Sequence, residues 1–292
     1  KSFDVVHAHT RVAQVLAALI EKFHGIPAVT TCHGFFKPNL GRRLWPCWGR
    51  KVIAVSPAVA EHLVTVHHVP REKIVCIPNG IDAEKFHPPA KDSTQIALRE
   101  ILGIPADAPV VGCTARLSPV KGLEYLLEAV ALSRKKHADL HCLIVGEGPS
   151  RAGLEVLTGK LGLYGKVIIT GVVNDIAPYL AQMDVFVLPS LMEGLGLSIL
   201  EAFSAGKPVI ASRVGGIVNV VRDRENGLLV APRSPEEIAG ALDLLLEDKK
   251  LAAELAQKGF QTVREEFSLD RMAGGIEAVY GSVLKTSGST PR

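Results

Sequence analysis

The sequence has 292 residues, of which 47% are hydrophobic and 22% charged, with a formal net charge of +3. That length is long for one domain and comfortable for two, the composition excludes a disordered chain, and the small charge gives no global basic field for nucleic acid. No apolar run is long enough to span a membrane, and no signal peptide opens the chain, which starts at Lys1.

In chain order, the stretch from Phe3 to His9 reads as a strand that runs into a loop at His7-Ala8-His9. Apolar residues at helical spacing cover 12–23 and 57–66, and short apolar runs at 28–31, 51–55 and 74–77 read as strands. Turn and linker residues then dominate, with Asn79-Gly80 and His87-Pro88-Pro89, and the domain boundary is placed near residue 88. A short helix over 95–102 is closed by Gly103. Strand-like runs follow at 109–113, 140–145, 167–169, 185–188, 209–211 and 228–230, each ahead of a helix-like segment or a glycine-rich turn. Residues 234–267 read as two helices, and the tail from Thr286 as loose.

Continuous apolar strands between helices imply parallel sheets covered on both faces. The expected fold is therefore α/β, with two Rossmann-like domains. Two such sheets facing each other create a cleft, and the chemistry belongs in the loops after the strands. The five cysteines, Cys32, Cys47, Cys76, Cys113 and Cys142, show no C-x-x-C spacing, which argues against a zinc or redox site and for a reducing cytoplasm. Cys76, Cys113 and Cys142 lie in strand-like runs and read as small buried hydrophobes.

The sharpest signal is Glu193-Gly194-Leu195-Gly196-Leu197-Ser198-Ile199-Leu200-Glu201, after the run that ends at Leu188-Pro189-Ser190. Two glycines allow a tight turn before a helix that starts near Leu197. The unpaired N–H groups there, at the positive end of the dipole, suit a phosphate. Glu201 sits among apolar helix residues, where a carboxylate needs partners. Two readings stay open for it: a ligand for paired ribose hydroxyls, or a solvent-facing edge of the helix. Arg116 and Lys121 follow the first strand of the second half, where two cations face a diphosphate at the strand ends. The bland alternative is surface ion pairing.

With these residues the chain resembles family 4 of the retaining glycosyltransferases, whose fold is called GT-B. Its signature is two glutamates eight positions apart around a glycine-rich loop, as Glu193 and Glu201 stand here. The resemblance also covers His7-Ala8-His9, Thr31-Cys32-His33-Gly34, Ile77-Pro78-Asn79-Gly80, Arg116-Leu117-Ser118-Pro119-Val120-Lys121-Gly122, Val145-Gly146-Glu147-Gly148-Pro149 and Glu225-Asn226-Gly227. It implies a partial acceptor-side Rossmann-like domain over 1–88, a nucleotide-sugar-binding domain over 89–275, and a C-terminal helix and tail over 276–292 that packs back on the first. The family's opening strand and glycine-rich loop are missing from this pattern, so the first domain is expected to be incomplete. Ala115 stands where a glycine is common, and Asn219 where a glutamate is common.

The resemblance assigns roles. Arg116 and Lys121 bind the donor diphosphate and stabilise it as it leaves. Gly194, Gly196, Leu197 and Ser198 form the phosphate turn, Glu201 holds the ribose, and Gly171 and Val172 border the base, which is uracil or guanine. Glu193 and His33 lie near the donor sugar and the reacting centre. His7 and His9 line the acceptor side or merely cap their strand. The implied reaction is retaining and metal-independent, with a nucleotide-diphosphate sugar as substrate, no cofactor, and a glycan, lipid-linked or small-molecule acceptor of cell-surface polysaccharide assembly. Gly146-Glu147-Gly148 is only a fragment of a dinucleotide fingerprint, because Arg151 occupies the third glycine position.

One local patch, 37–51, holds both tryptophans among basic residues. Arg42, Arg43, Trp45, Trp48 and Arg50 have the composition of a membrane interface, which suits an enzyme on the inner face of the membrane. A tryptophan pair buried under a basic loop is the competing reading. Three rival functions stay open: a nucleotide-sugar epimerase on the same fold, a dehydrogenase, and a non-catalytic nucleotide-sugar or membrane-binding module.

Overall fold

The computed structural model describes residues 3–38, 40–86 and 93–287. The chain begins β1 (Val6–Ala8), α1 (Arg11–His24), β2 (Ala28–Cys32), α2 (Leu40–Leu44), β3 (Lys51–Ala54), α3 (Pro57–Thr65) and β4 (Ile74–Cys76). It continues with α4 (Ser93–Ile101), β5 (Val110–Thr114), α5 (Leu123–Ser133), β6 (His141–Val145), α6 (Arg151–Lys160), β7 (Val167–Ile169), α7 (Ala177–Gln182) and β8 (Val185–Leu188). It ends with α8 (Leu197–Ser204), β9 (Val209–Ser212), β10 (Leu228–Val230), α9 (Pro235–Glu247), α10 (Lys249–Glu266) and α11 (Leu269–Ser287).

Contacts divide the chain into two units. The first is Lys1–Gly80, Glu193–Leu195 and Phe267–Arg292, and the second is Ile81–Met192 and Gly196–Glu266. The boundary expected near residue 88, with the His87-Pro88-Pro89 cluster, lies outside the described residues.

The first unit is built on a parallel sheet in the order β1-β2-β3-β4. One cluster packs Ala17 of α1 against Ala8 and Ala28. Another packs Val279 and Val283 of α11 against Val29, Ile53 and Ile77. Helix starts are set locally. Thr10 Oγ1 accepts the Ala13 N–H ahead of α1, and Ser56 Oγ accepts the Val59 N–H ahead of α3, whose first residue is Pro57. Gly25, at φ 70°, ends α1 in left-handed backbone. The last helix begins at Leu269, earlier than 276, because Ser268 caps it by accepting the Arg271 N–H, and it runs on to Ser287 through the start of the segment read as a loose tail.

The second unit holds a parallel sheet in the order β10-β9-β8-β5-β6-β7. Numbered within the unit, that is the doubly wound order 3-2-1-4-5-6 read from β7, with the winding reversed between β5 and β8. All residues of β5, β6, β8 and β9 are buried, which is why those strands read as unbroken apolar runs. Helix α5 packs against α6 and α9, and α8 against α10. Right-handed crossovers put helices of opposite winding direction on opposite faces.

The cysteine expectation needs one correction. Cys113 and Cys142 are buried, but Cys76 is exposed, because β4 is an edge strand that only β3 covers. Among the described residues, no helix is long and apolar enough to cross a membrane.

Candidate functional site

In the second unit, the loops after β5 and β8 leave the sheet at the point where the winding reverses. The β5 loop carries Arg116, which is exposed, and then a one-turn 3-10 helix, Pro119–Lys121, that holds Lys121 half-buried. Gly122 follows at φ 61° and opens α5. A Cβ there would run into the Pro189 carbonyl after β8. The Leu191 N–H donates to the Val120 carbonyl at 2.8 Å. Backbone contact therefore ties the Arg116–Lys121 loop directly to the β8 loop.

That β8 loop turns into α8 at Gly196, which sits at φ 92°, and no side chain caps the helix. Its first N–H groups point along the helix dipole, the geometry that suits an anion. Leu197 is 45% exposed at this end and Ser198 is half-buried. Glu201 lies one turn further along α8, partly buried. Burial pushes its carboxyl above the usual range, and the Lys85 ammonium partly opposes that. Lys85 is a residue that the sequence reading missed. It stands in a one-turn helix, Glu84–Phe86, that contacts α8.

The glycines of the β6 loop have steric reasons. Gly146 has φ 148°, and a Cβ on it would enter the Ala115 carbonyl, while one on Gly148 would enter the Leu117 carbonyl. The Ala115 N–H donates to Val145 O at 3.1 Å and the Leu117 N–H to Glu147 O at 2.9 Å. This loop is thus a backing for Arg116. Arg151, where a dinucleotide fingerprint has its third glycine, pairs with Glu147 at 2.6 Å. The Gly148 N–H and then Arg151 hold the Glu147 carboxyl below its ordinary range. Gly171, at φ 78°, bridges Gly146 backbone to backbone, and Val172 beside it is 81% exposed.

The first unit gathers the histidines. His7 Nδ1 lies 2.7 Å from Tyr280 Oη, and its Nε2 lies 2.7 Å from Thr31 Oγ1. His9 Nδ1 lies 3.0 Å from His33 Nε2, and the two rings stack at 5.3 Å. Burial, then His9 and His33, bring the His7 imidazole down to about 4. Burial and then His9 also lower His33. His7 is therefore a neutral, fully bonded anchor, and His9 and His33 share a hydrogen bond. Tyr280 went unread in the sequence, because it lies 273 positions from His7.

Gly194 belongs to this unit and packs on His33. A Cβ at Gly194 would strike the His33 carbonyl, and Ser56 Oγ donates to the Gly194 carbonyl at 2.6 Å. Ser56 thus caps α3 and also fixes the backbone next to Glu193, which is half-buried.

The membrane-patch reading needs correction at three of its residues. Arg42 is 6% exposed and Trp48 is 7% exposed, with the guanidinium 4.7 Å from the Trp48 ring centre. Stacking of cation on indole draws both inward. Arg50 pairs with Glu21 at 2.7 Å and is spoken for. Arg43 and Trp45 remain at the surface, with Leu40 and Leu44 beside them.

Known proteins match both the fold and the sequence. The family described as Glycosyl transferases group 1 matches residues 94–262, and Glycosyltransferase Family 4 matches residues 1–85. A D-inositol 3-phosphate glycosyltransferase of Stackebrandtia nassauensis is 31% identical over 99% of this chain and 70% of its own length. The lipopolysaccharide core biosynthesis glycosyltransferase LpsE of Rhizobium meliloti is 36% identical over 66% of this chain and 54% of its own. The crystal structure of Anabaena HepE in complex with UDP-glucose superposes with a TM-score of 0.87 at 27% identity, over 96% of this chain and 79% of that one. The α/β fold, with its parallel sheets in two Rossmann-like units, is that of GT-B glycosyltransferases. With a doubly wound sheet, cations at its switch point and a family match over more than half its length, the chain belongs to the glycosyl transferases group 1 family.

Proposed function

We propose that the chain transfers a hexose from a nucleotide-diphosphate sugar to a glycan, lipid-linked or small-molecule acceptor, with retention of configuration. One observation carries this reading. The loop bearing Arg116 and Lys121 and the loop leading to Gly196 and Glu201 both leave the sheet where its winding reverses. In open doubly wound sheets, that is where ligands bind.

In this reading, Arg116 and Lys121 hold the diphosphate and offset the charge that grows on it as the sugar leaves. A preorganised donor in that position contributes about 3 kcal/mol. The start of α8 meets a phosphate through Leu197 and Ser198, and Glu201 accepts from the ribose hydroxyls. Gly171 and Val172 border the base. Glu193 and His33 act near the donor sugar, with His7 and His9 on the acceptor side. The leaving phosphate takes the acceptor's proton. The two cations fill the role a metal would otherwise have, so turnover is expected to survive a chelator. The UDP-glucose complex of HepE supports uracil as the base, and LpsE supports a cell-surface glycan as the acceptor. Such an enzyme works in the cytoplasm, at the inner face of the membrane.

Thermal melts with UDP, GDP and their sugar conjugates test the donor site. Ligand at about 100 times its Kd adds about 2.7 kcal/mol, a shift of roughly 5–10 °C for a chain of this size. A shift with one base only, lost in Arg116→Ala and in Glu201→Ala, is the expected result. An equal shift in either variant would remove that residue from the site. Bound nucleotide without sugar transfer would favour a non-catalytic binding module.

A further inference from the structure

The first unit contains a second concave, cationic site that the donor-site reading does not use. A cavity of about 560 Å³ is lined by Arg42, Arg43, His67 and His68, with Trp48 and Val66 among its apolar walls. Among the described residues, no carboxylate lines it. The Arg42 guanidinium lies 4.8 Å from the Phe36 ring centre and 4.7 Å from that of Trp48. Positive charge is disfavoured at this site. Burial and then Arg11 weaken the hold of Arg42 on its proton. Burial lowers His67, its bond to the Phe36 carbonyl opposes that, and Arg42, His62 and His68 lower it further. Two guanidinium groups beside imidazoles that can take up a proton are an arrangement that an anion would relieve.

The backbone around the cavity is held in place. Arg11 donates to the carbonyls of Trp45 at 2.6 Å, Pro46 at 2.7 Å and Gly41 at 3.4 Å, which pins the loop that forms one wall. Cys47 at φ 57° and His68 at φ 54° are two of the four non-glycine residues with left-handed backbone among the described residues. Gly49, at φ 74°, passes so close to Ala28 that a Cβ would enter its carbonyl. Left-handed backbone at non-glycine residues is costly, persists where the surroundings impose it, and gathers at ligand sites.

We propose that this cavity binds a phosphate ester, with Arg42, Arg43, His67 and His68 around the phosphate and the organic group against Trp48 and Val66. A guanidinium fork matches phosphate oxygens in pairs. The volume leaves room for the group that carries the phosphate. That group is either a lipid headgroup, with exposed Leu44 and Trp45 beside the site, or a soluble ester. The site is independent of the donor site in the second unit.

The test uses the full chain. Inorganic phosphate and glycerol 3-phosphate are titrated calorimetrically at fixed ionic strength. Vesicles of phosphatidylcholine, with and without phosphatidic acid, are assayed by co-sedimentation. The variant is Arg43→Gln with His68→Asn, both exposed positions, since Arg42 is buried and its loss threatens the fold; asparagine also tolerates left-handed backbone. Saturable binding is expected, roughly 10–100-fold weaker in the double variant at unchanged Tm. The His67 imidazole, followed by NMR, is expected to titrate at higher pH when phosphate is bound. Binding of glycerol 3-phosphate without vesicle capture identifies a soluble ester. Capture by phosphatidic acid that free phosphate reverses identifies a headgroup. Absence of binding in both arms, or equal binding by the variant, overturns the proposal. So does phosphate binding that UDP abolishes, because that binding belongs to the second unit.

Discussion

At the residue scale, His7 sets the terms for its neighbours. Both its ring nitrogens are engaged, by Tyr280 and by Thr31, at 2.7 Å each. Burial, with the nearby His9 and His33, lowers its imidazole from 6.5 to about 4. The unfolded chain therefore binds a proton on His7 at higher pH than the folded chain does. Stability from this group is full above pH 6.5 and is lost as pH falls towards about 4. His33, His67 and His141 are lowered too, and they act in the same direction. Melts taken across that interval are expected to show Tm falling with acid, and His7→Gln to flatten the slope by one proton's share. A slope identical in the variant would show that His7 titrates normally in the fold.

The same scale shows what reasoning from residue type misses. Arg42 reads as a surface charge, because arginine is rarely buried, yet two aromatic faces take its guanidinium inside. Cys76 reads as buried in an apolar run, yet the edge of the sheet leaves it exposed. Both depend on which neighbour arrives from elsewhere in the chain, and local pattern carries no trace of that. Lys85, whose charge reaches Glu201, is hidden for the same reason.

At the element scale, what is legible is what a strand or a cap demands locally. Val185–Leu188 is buried on both faces and so reads as a plain apolar run, and Arg116 and Glu193 are visible as the first charged residues past such runs. Glycines are legible as turns, but their reasons come from packing. Gly146 lets the β6 loop lie against Ala115, the residue before Arg116. Gly146→Ala puts a methyl into a backbone carbonyl and holds φ 148° in a region alanine avoids. The expected loss exceeds about 1 kcal/mol, with weaker nucleotide binding because the Arg116 loop must move. Denaturant melts and titration with UDP check the two parts. Lost stability with unchanged UDP affinity would uncouple the β6 loop from Arg116.

At the scale of the whole molecule, chain order and unit membership diverge. The first unit takes residues from the start of the chain, from the glycine-rich loop and from Phe267 onward. Its sheet is covered on one side by Val279 and Val283 of α11, packed on Val29, Ile53 and Ile77. Val283→Asp puts an unpaired charge in that cluster, at a cost of several kcal/mol. Native-state hydrogen exchange is expected to show protection lost in β1 to β4, while β5, β6, β8 and β9 keep theirs. Equal loss in both sheets would mean that the two units unfold together.

The membership of α11 also has a consequence for how the chain is made. Synthesis runs towards the carboxyl end, so β1 to β4 emerge before α11, with Val29, Ile53 and Ile77 bare on one face until it arrives. The second unit, through Glu266, is complete before the residues that cover that face have left the ribosome. The sheet made before the second unit is thus finished after it. During that delay its half-covered sheet is the surface through which a nascent chain is most open to chaperone capture or to wrong association.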